Sequence, residues 1–303
     1  MVQFKQELKT LSMKGYVMSK NKIAIGVSRS FDTPVEEQIR LFKKVGFDGF
    51  FTEWGDEYNI SECRKTADEL GLEYQSIHAP FYGASSMWKN DISALSATNE
   101  LLECLDDCAR FSIPIMVVHP FIGFREHTPT NHGIESFKKV VQRAHELGIT
   151  IAFENVEGEE YLDALMTAFA DYDNVGFCYD SGHELCYNKG KDMLKKYGSR
   201  LVATHLNDNL GVSRSDGEIF WTDDLHLLPF DGIADWSNIT KRLSDLEFSG
   251  FLTLELVKKS KPDRHENDKY QVMPMEEYLT KAYECACRIA DMKSRHDADN
   301  SKK

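Results

Sequence analysis

The sequence contains no apolar run long enough to cross a bilayer, and its first 22 residues lack the apolar core of a signal peptide. Its seven cysteines include no CxxC pair, a pattern expected where thiols stay reduced. No low-complexity segment suggests internal disorder. We therefore expect a soluble, cytoplasmic chain without a membrane segment, with a polar leader over residues 1–22.

Basic residues are scarce relative to acidic ones. The chain has 36 Lys and Arg against 49 Asp and Glu, which gives a formal net charge of −13. An acidic protein repels a phosphate backbone unless a local basic groove overrides the repulsion. The composition therefore disfavours nucleic acid as a partner. It leaves open whether the chain forms a homo-oligomer.

Short apolar runs rich in Ile, Val, Phe and Leu alternate with longer amphipathic stretches along the chain. Eight such runs read as strands that are buried on both faces, as in a parallel sheet. The predicted strands are residues 23–27, 49–53, 74–78, 115–119, 150–154, 175–179, 201–205 and 251–255. The stretches between them have the length and periodicity of helices, and Gly71 and Gly148 stand where two of these helices should end.

Eight βα units without a Pro/Gly/Ser-rich linker favour a single-domain α/β protein, a closed (β/α)8 TIM barrel, over two open sheets. A doubly wound fold would need a GxGxxG turn after the first strand, which residues 25–28 do not supply. We expect the barrel to occupy residues 23–293 and a disordered tail to follow over 294–303. The longest irregular segment, residues 207–234, follows the seventh strand, where barrel enzymes build active sites.

Acidic and histidine residues recur at the end of a predicted strand or directly after it. They are Glu53, His78, His119, Glu154, Asp180, His205 and Glu255. In a barrel these strand ends converge on one mouth, so the side chains should face a common cavity. Buried carboxylates persist there when they are paired or bound to a metal. A single such residue is more often a cap or an ion-pair partner, which is our interpretation of Glu53.

The last four strands supply the predicted metal ligands, which are Glu154, Asp180, His205 and Glu255. Three carboxylates and one imidazole suit Mn²⁺, Mg²⁺ or Co²⁺, and Zn²⁺ also fits. His183, three residues after Asp180, should point into the same mouth. Aromatic residues of the nearby loops could form either a sugar pocket or plain core: Trp54, Phe81, Trp88, Phe121 and Trp221.

These positions also carry a resemblance to a known superfamily. Phe-Glu-Asn at 153–155, Tyr-Asp-Ser-Gly-His at 179–183, Thr-His-Leu-Asn-Asp at 204–208 and Leu-Glu at 254–255 resemble the metal motifs of xylose isomerase-like TIM barrels. Asp-Leu-His at 224–226 and Pro-Phe-Asp-Gly at 229–232 resemble that superfamily's D-x-H…P-G-E-G loop. The likeness extends over residues 23–292. It implies a sugar or sugar-phosphate isomerase or epimerase, or a related apurinic-site endonuclease.

The resemblance to ketose 3-epimerases implies that Glu154 and Glu255 are both metal ligands and an acid–base pair for enediolate chemistry. It further implies that Glu160 and His183 bind the substrate. The remaining polar residues of the mouth would bind substrate, support the ligands or hold additional metals: His78, His119, Asp224 and His226. Those epimerases place an arginine six residues after the histidine ligand, where this sequence has Gly211, and Arg214 is the nearest substitute.

The endonuclease branch uses a three-zinc site, and the sequence resembles it at every ligand: His78, His119, Glu154, Asp180, His183, His205, Asp224, His226 and Glu255. The acidic balance argues against DNA, and the loops after strands three and four offer only Lys89 and Arg125. Lys258, Lys259 and Lys261 are the best phosphate candidates, although such a run is more often a solvated loop.

We therefore predict a metal-dependent isomerase or epimerase that acts on a small keto sugar or sugar phosphate. The alternatives are a zinc-dependent endonuclease-like phosphodiesterase and a noncatalytic barrel that binds a sugar. A pair of glutamates across the ligand favours an enzyme over a binder, because binding alone has no need of an acid–base pair.

Overall fold

The computed structural model describes residues 21–125 and 128–302, so residues 1–20 of the expected leader lie outside it. Its eight parallel strands are β1 (Ile23–Gly26), β2 (Gly49–Glu53), β3 (Glu73–His78), β4 (Ile115–Val118), β5 (Thr150–Glu154), β6 (Val175–Asp180), β7 (Leu201–His205) and β8 (Leu252–Leu254). Consecutive strands from β1 to β7 pair with each other, and β1 also pairs with β8. The predicted TIM barrel is confirmed.

Helices connect the strands. They are α1 (Val35–Val45), α2 (Ile60–Leu70), α3 (Ile92–Arg110), α4 (Asn131–Leu147), α5 (Glu159–Ala168), α6 (Ser181–Cys186), α7 (Met193–Tyr197), α8 (Trp236–Asp245), α9 (Asp268–Gln271) and α10 (Met275–Asn300). Gly71 and Gly148 end α2 and α4 in the left-handed conformation, as their positions predicted. Within the described residues, no helix has both the length and the apolarity to cross a membrane.

The last helix differs from the sequence-based expectation of a disordered tail from residue 294. α10 continues to Asn300, whose side-chain amide donates to Ser244 Oγ at 3.2 Å. Asn21 donates in the same way to Ser294 Oγ at 3.2 Å. Lys293 pairs with Asp297 one turn later, at 3.1 Å. Charges spaced four residues apart stabilise an exposed helix, so the high charge of this segment supports a helix as well as it supports disorder.

The seam between β7 and β8 closes the barrel with few backbone hydrogen bonds. Leu206 bridges to Leu254, and its N–H donates to the carbonyl of Thr253 at 2.7 Å. Beside this bridge, the buried hydroxyl of Thr204 donates to the carbonyl of Phe251 at 2.9 Å and accepts from Thr253 N–H at 3.1 Å. A side chain therefore supplies the pairing that the two backbones lack at this position.

Replacing Thr204 by Val should destabilise the barrel, because it keeps the side-chain shape but leaves a buried N–H and a carbonyl unsatisfied. We expect a loss of about 1–3 kcal/mol in the free energy of unfolding. Thr240→Val is the matched control, since its buried hydroxyl donates to Trp236 O within helix α8, a carbonyl already in position for the helical ladder. Urea denaturation measures both variants, and equal losses would contradict this role of Thr204.

Candidate metal centre

Four polar side chains meet at the carboxyl ends of strands β5 to β8. Three of them end a strand, and the fourth directly follows β8: Glu154, Asp180, His205 and Glu255. Each offers one ligand atom, and these atoms all lie within 4.8 Å of one another. The structure therefore brings together all four residues that the sequence analysis selected as ligands.

A layer of small side chains lies beneath this group. Ala152, Cys178 and Ala203 stand two residues before the last residues of β5, β6 and β7, and they form a separate buried cluster with Val117. Alternate residues of a strand face the same side, so the polar side chains project into the barrel directly above this cluster. Small residues below leave the larger carboxylates and imidazole room to converge.

The charges of the group are strongly coupled. Burial raises the pKa of Asp180 to about 7, and the charges of Glu154 and Glu255 add to this rise against the opposing effect of His183. Burial also disfavours the charge on Glu255, but His205 and His226 together outweigh it and lower the pKa of Glu255 to about 2. Nδ1 of His205 lies 3.2 Å from Glu154 Oε1 and 3.3 Å from Glu255 Oε2.

This donor set fits a divalent cation. Three carboxylates gathered within a few ångströms in a buried site repel one another unless a proton or a cation lies among them. The raised pKa of Asp180 favours a proton on this carboxylate, which removes part of the repulsion. A metal held by oxygen and nitrogen ligands would remove it as well. Because protons and the metal compete for Asp180, the site is suited to binding a metal at and above neutral pH.

Two further groups of metal-binding side chains adjoin the first. Nε2 of His78 and of His119 each lie 3.4 Å from Glu154 Oε2, and the three residues can share an ion. On the other side, the second group consists of His183, Asp224 and His226. The structure thus gathers all nine residues of the resemblance to the three-zinc site, and it joins the groups through Glu154, which also lies 3.5 Å from Nδ1 of His183.

Positioning residues that the sequence analysis missed hold Asp180 in place. Asn207 donates its amide to Asp180 Oδ2 at 2.9 Å, and Asn155 accepts from the backbone N–H of Asp180 at 2.8 Å. Gly182 is required here, because a Cβ would lie 1.9 Å from Asn207 Oδ1. The sequence could have indicated both asparagines by their closeness to the predicted ligands, since Asn155 directly follows Glu154 and Asn207 lies two residues after His205.

A cavity of about 520 Å³ opens above the ligands, and we call it the metal cavity. Its wall contains His78, His119, His183, Asp224, His226 and Glu255, all of which the sequence analysis placed there. Glu160 does not line it; that residue is exposed on the first turn of α5 and borders an adjoining cavity. Glu157, which was not predicted, is the buried carboxylate in this part of the wall, and it accepts from Gly123 N–H at 2.8 Å.

The aromatic wall also differs in part from the expected one. Phe81 and Trp221 line the metal cavity as proposed. Trp88 and Phe121 are core residues instead, since Trp88 donates to Pro120 O and Phe121 stacks on Tyr161 at a ring distance of 4.0 Å. Four further aromatic residues line the cavity, one from β2 and three from loops: Phe51, Tyr82, Phe124 and Tyr187.

Basic residues are nearly absent from the wall of the metal cavity. Within the described part of the chain, Lys261 is the one lysine or arginine that lines it, and Nζ lies 3.9 Å from Asp224 Oδ2. Lys259 pairs with Asp32 away from the cavity, and Lys258 donates to Gln271 O. Arg214 does not replace the arginine of the epimerases, because it pairs with Asp216 outside the wall.

Comparison with known proteins places these features in a wider group. A family model described as a xylose isomerase-like TIM barrel matches residues 39–274. The uncharacterized protein y4fM of Sinorhizobium fredii is 29% identical over 87% of this chain and 91% of its own length. D-psicose 3-epimerase of Clostridium cellulolyticum, solved with D-tagatose, has a TM-score of 0.64 at 15% identity, covering 91% of this chain and 99% of its own.

A second solved structure, the IolI protein with a bound zinc atom, has a TM-score of 0.69 at 15% identity. The similarity covers 89% of this chain and 98% of that protein. At such identities, the likeness to solved structures establishes the shared fold.

Removing any one ligand should weaken metal binding. We expect Asp180→Asn, His205→Ala and Glu255→Gln each to lower affinity for a divalent metal by at least about 10-fold, since loss of a mere supporting contact typically costs that much. Elemental analysis and metal titration measure the effect. Glu53→Gln is the control, because Glu53 lines the same cavity but pairs with Arg29. Wild-type metal content in all three ligand variants would remove the site.

Proposed function

The chain belongs to the xylose isomerase-like TIM barrel family, and we propose that it is a metal-dependent isomerase or epimerase of a keto sugar or sugar phosphate. The observation that carries the proposal is the pairing of Glu154 and Glu255 within one group of ligand atoms, at a cavity of sugar-binding size. Mn²⁺, Zn²⁺, Mg²⁺ or Co²⁺ would be held by these two residues together with Asp180 and His205.

The proposed chemistry requires a C–H bond next to a carbonyl to lose its proton. A divalent cation supplies a Lewis acid that makes this proton more acidic. Both glutamates have a lowered pKa, for Glu154 because His205 and hydrogen bonds from His119 and His183 outweigh the effect of burial. They are therefore ionised at neutral pH, which is the state that a general base requires.

Glu255 is the better placed base, because it lines the metal cavity whereas Glu154 is completely buried behind it. In an epimerase the two carboxylates act on opposite faces of one carbon, so one removes the proton and the other returns it. His183 and Glu157 face the cavity and would orient substrate hydroxyls.

If this proposal is correct, incubation with the substrate in D₂O should place solvent deuterium on the carbon next to the carbonyl. Glu255→Gln and Glu154→Gln keep the size of the side chain and one oxygen ligand but remove the base. We expect turnover to fall by roughly 10²-fold or more in either variant, even where metal remains. Exchange is measured by NMR over a panel of ketoses and their phosphates.

Glu53→Gln again provides the matched control, since it removes a carboxylate from the same wall without touching the ligand group. Its turnover should stay within a few-fold of wild type. Absence of deuterium exchange with every keto sugar, in protein whose metal site is filled, would overturn the proposal and favour hydrolysis or simple sugar binding.

The second candidate function is a zinc-dependent phosphodiesterase that acts on abasic DNA. It is favoured by the three adjoining groups of potential metal ligands. The wall of the metal cavity disfavours it, because a polyanion needs several cations near the metal and Lys261, beside Asp224, is the one that this wall provides among the described residues. Arg125, Lys189 and Lys191 line an adjoining cavity that contains none of the four predicted ligands. We therefore rank it below the isomerase.

An assay with a duplex that carries an abasic site separates the two candidates. We expect no nicking above background at low salt, where electrostatic binding of DNA is strongest. The protein should be loaded with Zn²⁺, and the same preparation should retain its deuterium exchange activity. Efficient zinc-dependent cleavage beside the abasic site would reverse our ranking.

A further inference from the structure

A second cavity of about 540 Å³ adjoins the metal cavity, and we call it the side cavity. The two share Phe124, Glu157 and Tyr187 in their walls, so they lie next to each other at these three side chains. Tyr187 also stacks on His183 with ring centroids 4.8 Å apart, which ties the junction to the group of metal-binding side chains. The side cavity is therefore the adjoining space that a longer ligand at the metal cavity would enter past Tyr187.

The combined volume of the two cavities exceeds what one monosaccharide needs. Pockets of roughly 300–1,000 Å³ hold ligands of drug size. The metal cavity alone, at about 520 Å³, is already sufficient for one sugar unit. The side cavity is as large again and contains none of the four ligands, so it is available to a second unit of the same substrate.

The wall of the side cavity has the mixed character of a sugar-binding surface. Phe124, Tyr187 and Phe220 provide aromatic faces, and Phe220 is 37% exposed although it is a large apolar side chain. Charged groups stand among them, including Glu159 with its partner Lys191. Aromatic rings pack against the C–H face of a sugar, while charged side chains bond its hydroxyls.

We propose that the substrate is a keto sugar that carries a second, glycosidically linked sugar ring. The keto unit lies at the metal cavity, and the second ring lies in the side cavity against Phe220. The inference rests on the proposed function and adds the class of substrate. Glu157, at the junction, is placed to accept a hydroxyl hydrogen from a substrate that spans both cavities.

The experiment compares free ketoses with keto disaccharides, such as fructose with 6-O-glucosylfructose, across ketoses and linkage positions. Deuterium exchange by the metal-loaded protein gives kcat/KM for each compound. We expect at least one keto disaccharide to exceed its free ketose by about 10-fold or more. Phe220→Ala should abolish this advantage and leave kcat/KM for the free ketose within about twofold, because Phe220 lines the side cavity alone.

Tyr82→Ala is the matched control. Tyr82 is an aromatic residue that is 81% exposed and lines the metal cavity but not the side cavity. Its removal should change kcat/KM for the ketose and the disaccharide by the same factor. Val272→Ala, at an 88% exposed position in neither wall, controls for remote effects and should change nothing.

Failure of this inference is distinguishable from failure of the proposed function. The proposed second sugar ring is contradicted if no keto disaccharide exchanges faster than its free ketose, or if the advantage survives in Phe220→Ala. Neither result contradicts the proposed isomerase activity. If no compound exchanges, the isomerase proposal fails, and calorimetric titration then tests the side cavity by itself. Tighter binding of a disaccharide that depends on Phe220 supports the inference, and equal binding of both sugars contradicts it.

Discussion

Mutual repulsion of buried carboxylates is the constraint on which this protein is built. Glu154, Asp180 and Glu255 offer oxygen atoms within 4.8 Å of one another and of His205, in surroundings that exclude most water. Such a group is stable only where positive charge or protons compensate it. The surrounding histidines do so in part, but burial, with a contribution from the charges of Glu154 and Glu255, still raises the pKa of Asp180 to about 7.

The long segment between β7 and α8 supplies further polar side chains to the cavity, and Asp208 fixes its conformation. Asp208 accepts hydrogen bonds from Phe230 N–H, Ala234 N–H and Trp236 Nε1, all at 2.9 Å, and so folds the segment back over the barrel mouth. His226 then adopts a left-handed backbone conformation with φ of 46°, which is uncommon for a residue other than glycine. In that conformation its ring meets Asp224 at 2.7 Å. An uncommon backbone conformation thus brings a polar side chain to the cavity.

The positions of the four candidate ligands could be predicted from the sequence because they depend only on where strands end. Strand periodicity places Glu154, Asp180 and His205 at one mouth whatever the loops do. The choice between Glu157 and Glu160 depends instead on loop conformation. Gly158, with φ of 72°, turns the chain between them, so Glu157 faces the cavity and Glu160 is exposed on the first turn of α5. Spacing from Glu154 carries no information about such a turn.

The sequence left open which aromatic residues face the cavity and which belong to the core, for a related reason. Trp88 and Phe121 follow strands just as Phe81 does, but they pack with Tyr161 in the core. Whether a loop aromatic faces a cavity depends on contacts between loops that are distant in sequence, and no local pattern encodes those contacts. The same limit applies to the side cavity, whose wall combines residues from the loops after β4, β5, β6 and β7.

The part of the site that the sequence predicts well, the candidate metal ligands, is also the part that distinguishes least between the two candidate functions. Nine potential metal ligands would serve an isomerase and a phosphodiesterase equally well, since both reactions use cations to stabilise developing negative charge. The walls differ in what they can bind. A wall whose single described cation, Lys261, lies beside Asp224 and over the ring of Trp221 attracts a polyanion poorly. Aromatic faces among carboxylates suit a neutral polyhydroxylated compound, so the preference for sugar chemistry rests on the loops.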